Sequence, residues 1–152
     1  MPKLDTGTWV VVADSEKALI LENHGDSDYP HLKVRRKETQ DNPPSREQGA
    51  NRPGRFNDGP SAHRSAMDDT DWHELAKERF ADDLAEILNA RALDQSFDKL
   101  VLVAAPSVLG DLRKVLHEET SKRVVFELDK NLTGHALDVI EQRLQDAMSD
   151  AA

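Results

Sequence analysis

The sequence predicts a mixed α/β domain, one sheet with helices on both faces, and three observations predict it. Three short strand-like runs come first, before any helical pattern appears. Two more β-branched runs then alternate with stretches of helical periodicity, the pattern that yields parallel strands joined by crossovers. A chain of 152 residues is one domain in size and long enough to bury a core. The predicted order is β-β-β, loop, α-β-α-β-α, with no internal repeat.

Trp9 to Ala13 (Trp-Val-Val-Val-Ala) is continuous and β-branched, the pattern of a strand buried on both faces. Asp14-Ser15-Glu16-Lys17 is polar and turn-like, so Ala18 to Leu21 reads as the antiparallel partner of the first strand. After a turn over Gly25 to Pro30, Leu32 to Arg36 alternates apolar with basic residues, as a half-exposed edge strand would. Asp41 to Asp68 contains Pro43-Pro44, Gly49, Pro53-Gly54 and Gly59-Pro60 and reads as a flexible loop within the single domain 1–152.

From there the apolar residues Trp72, Ala76, Phe80, Leu84, Ile87 and Leu88 recur on one helical face, predicting a helix from Asp71 to about Ala92. The acids Asp68, Asp69 and Asp71 suit its N-terminus, where the dipole favours negative charge and a cap is needed. Leu100 to Ala104 is a second doubly buried strand. Pro106 fits the first turn of the next helix, with Val108, Leu109, Leu112, Val115 and Leu116 on its apolar face. Val124 to Leu128 is the last strand, and His135 to Met148 the last helix, burying Leu137, Ile140, Leu144 and Met148. The connections flanking Leu100 and Val124 are long enough for right-handed crossovers, so these strands should run parallel. Gly110 inside the second helix costs about 1 kcal/mol relative to alanine, and close packing on the sheet would explain it.

Charge is unevenly placed. The chain has 20 lysines and arginines against 29 acids. Yet Lys33 to Arg64 holds eight basic and four acidic residues, a formal +4, which leaves −13 on the remainder (12 basic, 25 acidic). A basic segment on an acidic body steers a polyanion to one side; the alternative is a solvated insertion without a partner.

Several classes of function are disfavoured. There is no cysteine, hence no disulfide, thiolate zinc site or cysteine nucleophile. Ser15, Ser61 and Ser107 lie in no nucleophile elbow, and no phosphate-binding glycine loop or dinucleotide fingerprint occurs. His24, His31, His63, His73, His117 and His135 are scattered without zinc-site spacing. Met1 to Asp5 carries no signal-peptide run and no apolar stretch reaches bilayer length, so the expectation is a cytoplasmic protein with no membrane partner.

Several blocks, in order, carry a resemblance: Trp9 to Leu21, Lys77-Glu78-Arg79-Phe80-Ala81, Lys99 to Ala104, Leu109 to Lys114, and Leu128-Asp129-Lys130-Asn131-Leu132-Thr133. Together they resemble the bacterial host-attachment family (proteins required for attachment to host cells). That family is similar in turn to the middle domain of eukaryotic-type peptide-chain release factors. The resemblance covers nearly all of the chain outside the Pro/Gly-rich loop. It implies a ribonuclease-H-like three-layer α/β/α sandwich whose mixed five-stranded sheet has the order 3-2-1-4-5, with strand 2 antiparallel. In the release factors the loop after the third strand carries a Gly-Gly-Gln tip. This sequence has only Gln48-Gly49 and Gly54-Arg55-Phe56 in that slot, which removes the residues for peptidyl-tRNA hydrolysis but not a contact with RNA.

Asp14, ending the first strand, stands where a ribonuclease-H-like nuclease holds a metal-binding carboxylate, and Glu78 could supply a second. The fourth strand, however, ends in Ala104-Ala105, and two-metal chemistry needs several converging carboxylates. The simpler role for Asp14 is to cap the turn between the first two strands. Glu74, Glu78, Asp82 and Glu86 form a like-charge i, i+4 ladder that costs about 0.2–0.5 kcal/mol per pair in an isolated helix. It is either a solvated face or a partner or cation site.

The reading is therefore a non-catalytic RNA- or ribosome-associated binding protein without cofactor or metal. Its RNA-binding residues are Lys33, Arg35, Arg36, Lys37, Arg46, Arg52, Arg55, Phe56, His63 and Arg64. Arginine pairs with phosphate in bidentate fashion, and Phe56 supplies a ring on which an unpaired base can stack. The alternatives are a factor promoting attachment to host cells, indirectly through other surface factors, and a hydrolase of RNA or peptidyl-tRNA. Oligomeric state is left open.

Overall fold

The computed structural model describes residues 3–39 and 66–150, the side chains of 66–74 excepted. Five strands, β1 (Trp9–Ala13), β2 (Lys17–Asn23), β3 (Leu32–Thr39), β4 (Leu100–Ala104) and β5 (Val124–Leu128), form one sheet in the order β3-β2-β1-β4-β5. β2 runs antiparallel to both its neighbours, while β1, β4 and β5 are parallel. The helices are α1 (Ala66–Leu93), α2 (Pro106–Val115), α3 (Glu118–Ser121) and α4 (Leu137–Asp150). The predicted strand order and the antiparallel second strand are both present.

Two apolar layers explain why β1 and β4 read as unbroken hydrophobic runs. Trp9, Val11 and Ala13, with Leu100, Leu102 and Ala104, face Phe80, Leu84 and Leu88 of α1 and Leu109 and Leu112 of α2. The alternate residues Val10, Val12, Val101 and Val103 face Ile140, Leu144 and Met148 of α4. A strand that must be apolar on both sides cannot alternate. Each fully buried aliphatic side chain here contributes about 1.5–3 kcal/mol of transfer free energy.

Four expectations are corrected. α1 begins at Ala66, so Ala66, Met67 and Asp68 belong to the helix and not to the loop. The acids of this region lie inside the first turns, where the helix dipole also favours negative charge. The loop reading otherwise falls on residues 40–65, outside the described residues. α3 was not foreseen, because four residues are too few to show a period. Gly110 is not packed against the sheet: a β-carbon there would meet nothing within 4 Å. Among the described glycines, Gly25 is where a side chain would clash: a β-carbon would come within 2.2 Å of the Tyr29 carbonyl oxygen.

The fourth correction concerns β3, which does not alternate as a half-buried strand should. Only Leu32 is buried, and Val34 is 41% exposed. Past Val34 the pairing is also irregular: Ile20 opposes Arg36 while Leu21 opposes Val34, so Arg35 is an extra, bulged residue. A bulge shifts the side-chain alternation by one place and re-aims the residues beyond it.

Candidate nucleic-acid interface

The register of β3 decides where its basic residues go. Lys33 opposes Glu22, which in turn opposes Trp9 of the α1-side layer. Arg36 opposes Ile20 of that same layer. The bulged Arg35 also turns to this side, its guanidinium 4.8 Å from the centroid of the Trp9 ring. Lys37 opposes Leu19, which packs against the α4-side layer. Lys33, Arg35 and Arg36 thus share one side of the sheet at its exposed edge, and Lys37 points to the other.

The four cations are not equivalent. Arg35 Nη1 donates to Glu22 Oε1 at 2.6 Å, and His24 Nε2 lies 3.4 Å from the same oxygen. Arg36 donates to Glu38. Lys33 and Lys37 make no ion pair among the described residues and are exposed. Arg35 is the anchored member: its cation–π contact with a buried tryptophan and its carboxylate partner fix a side chain that is otherwise expensive to order. Trp9 itself stacks on Phe97, with ring centroids 4.8 Å apart and planes tilted by 35°.

The start of β3 is held by Asn23, which is 1% exposed. Its Oδ1 accepts the N–H of Gly25 at 3.0 Å and of His31 at 2.8 Å. Its Nδ2 donates to the carbonyl of Leu4 at 2.7 Å and more weakly to those of Asp5 and Asp26. One amide thereby fastens the N-terminal segment to the turn that launches β3. Sequence reasoning passed over it, although Asn-x-Gly before a turn is an Asx-turn signal. Glu141 of α4 then accepts the N–H of Leu32 at 2.9 Å, closing the first part of the sheet edge.

Asp14 does cap the turn between β1 and β2. Its Oδ1 accepts the N–H groups of Glu16 at 2.7 Å and Lys17 at 2.8 Å, and its Oδ2 accepts the hydroxyl of Thr133 at 2.7 Å. Partial burial pushes this carboxyl up, but the Thr133 hydroxyl, the two backbone N–H groups and the Lys17 charge together outweigh it. The pKa lies below the ordinary 3.8. The carboxylate is thus committed to holding the β1–β2 turn to the segment after β5. Glu78 is exposed on α1. Among the described residues, no group of three or more His, Asp or Glu side chains could hold a metal ion.

Of the RNA-binding residues expected from the sequence, Lys33, Arg35, Arg36 and Lys37 stand on β3. Arg46, Arg52, Arg55, Phe56, His63 and Arg64 lie outside the described residues. In chain order residues 40–65 join β3 to α1.

The family model described as Bacterial archaeo-eukaryotic release factor family 12 matches residues 7–144. The chain belongs to this family. None of the curated proteins matches it. Release-factor family membership spans the whole sheet and supports a translation-related role in general. The sequence lacks Gly-Gly-Gln, and no described helix is long and apolar enough to cross a membrane.

Proposed function

We propose that this release-factor-like domain is a non-catalytic RNA-binding protein that acts on the ribosome. Its contact surface would be β3 together with the segment that follows it. The observation that carries the reading is the β3 bulge. It sets Arg36, and not Lys37, beside Lys33 and Arg35 on one side of the sheet edge, immediately before a segment with four more arginines and Phe56. Lys33 and Lys37, which make no ion pair among the described residues, can meet phosphate, and an aromatic among arginines suits an unstacked base. The absence of Gly-Gly-Gln favours binding over hydrolysis.

The test is a salt titration of single-stranded RNA and of purified ribosomes against the wild type and two variants. Wild-type affinity should fall steeply with salt, and Arg52→Ala/Arg55→Ala/Arg64→Ala should flatten that dependence. Phe56→Ala should weaken binding at every salt concentration without changing the slope, by about 1–3 kcal/mol per stacked base. A wild type that binds neither target at low salt rules the reading out. The attachment reading, which rests on the resemblance carried by the five blocks between Trp9 and Thr133, would then lead. Its signature is a deletion strain that loses host attachment with translation intact. Turnover of labelled RNA or peptidyl-tRNA by the pure protein would favour the hydrolase reading.

A further inference from the structure

Away from β3, a groove of about 420 Å³ runs between α1 and the link from α2 to α3. Ala85 and Asn89 form its floor, Ala90 and Leu93 one wall, Val115 and His117 the other, and Asp82 and Glu86 its rim. Leu93 is a large aliphatic side chain left 66% exposed, next to a recess that a partner side chain could fill. A single exposed leucine needs no explanation. One placed beside a groove with like-charged residues along its rim does.

The rim is acidic. Glu78, Asp82 and Glu86 are exposed and make no ion pair among the described residues, whereas Lys77 on the same helix pairs with Asp111. Their spacing of four residues repeats about every 6 Å along the helix axis. A second helix laid alongside presents lysines or arginines at the same repeat when they are also four residues apart. The floor adds a directional group. Asn89 is 7% exposed, and its Oδ1 accepts the His117 N–H at 2.9 Å and the Thr120 hydroxyl at 2.6 Å. Its Nδ2 carries two hydrogens but meets only the Val115 carbonyl, at 3.4 Å. Its other hydrogen has no partner among the described residues.

We infer that this groove is a docking site for a basic amphipathic helix of a partner protein. Its apolar face would seat on Ala85, Ala90, Leu93 and Val115, and its cations would meet Asp82 and Glu86. The charge selects this occupant: an acidic rim repels a phosphate backbone, so nucleic acid is the wrong ligand here. Apolar anchors at helical spacing in a groove are the usual mode by which amphipathic helices are recognised. The site is separate from β3 and opposite to it in charge, so it stands whether or not β3 binds RNA.

The probe is a fluorescent synthetic helix of roughly 15 residues, long enough for appreciable helicity. It carries leucines on one face and lysines four residues apart beside them. A control peptide has the same composition in scrambled order. Fluorescence anisotropy should show binding by the ordered peptide and at least about tenfold weaker binding by Asp82→Lys/Glu86→Lys. Leu93→Ala should weaken it about fivefold, without unfolding risk because the side chain is exposed. Amide shifts in a ¹⁵N-labelled sample should cluster in residues 82–93 and 115–117, and Lys33→Ala/Lys37→Ala should change nothing. Equal binding by the scrambled peptide, or shifts elsewhere, overturns the proposal. So does self-association in sedimentation velocity that Leu93→Asp abolishes, which would make the occupant a second copy. Single-stranded RNA shifting the same groove amides overturns it as well.

Discussion

Two buried asparagines each hold a corner of this molecule, and they do so to different degrees. Asn23 uses both ends of its amide on five backbone groups, tying the N-terminal segment, the 23–31 turn and the start of β3 into one unit. Asn89 fastens the α2–α3 link through its oxygen and makes only one long bond through its nitrogen. The first corner is closed, and the strand it launches carries the basic residues. The second is half open and forms the floor of an acidic groove. Saturating a buried amide makes a rigid support, whereas leaving one donor free makes a surface with something to offer.

The largest test of this contrast is Asn23→Ala. It strands the buried Leu4 carbonyl and the partly buried N–H groups of Gly25 and His31, and should cost about 3 kcal/mol in urea unfolding. Asn89→Ala leaves fewer groups without partners and should cost about half as much, roughly 1–2 kcal/mol. An equal or larger loss at Asn89 would break the comparison.

Asp14 sharpens it with a third corner, held by charge instead of an amide. Its folded pKa is lowered, so the unfolded chain binds the proton more tightly. The stabilisation is full above about pH 5 and fades as the pH falls through 3.8 and on through the folded value. Asp14→Asn should therefore lower the melting temperature at neutral pH and flatten its decline in acid. An unchanged acid limb would mean that Thr133 and the turn amides do not hold the carboxylate. The smallest stability effect is expected at the exposed cations. Lys33→Ala/Lys37→Ala should stay within about 0.5 kcal/mol of wild type, while lowering the salt slope of RNA binding by about 1–2.

The fold was legible because its signals are local and redundant. Trp9 to Ala13 and Leu100 to Ala104 read as doubly buried strands, and the helical period from Phe80 to Leu88 gave the long helix its buried face. The strand order came from resemblance of sequence blocks, since periodicity cannot rank strands within a sheet. The candidate site was legible only as a list. Lys33, Arg35, Arg36 and Lys37 were visible as charges, but not which of them share a side.

By itself, then, the amino-acid order determined the element types, the two-faced core and the uneven charge, because side-chain period and composition act over a few neighbouring residues. Tertiary structure alone decided the rest. The bulge at Arg35 depends on how β2 pairs with β3, and that pairing brings Arg36 to the side of Lys33 and Arg35 and turns Lys37 to the other. Trp9 and Glu22 hold Arg35 only because β1 and β2 bring them together, and Thr133 reaches Asp14 across 119 residues of chain. Asn89 lies 26 residues from Val115 and 28 from His117, and its half-used amide exists only where α1 and the α2–α3 link meet. Contacts of that kind depend on long-range packing, which no local pattern encodes.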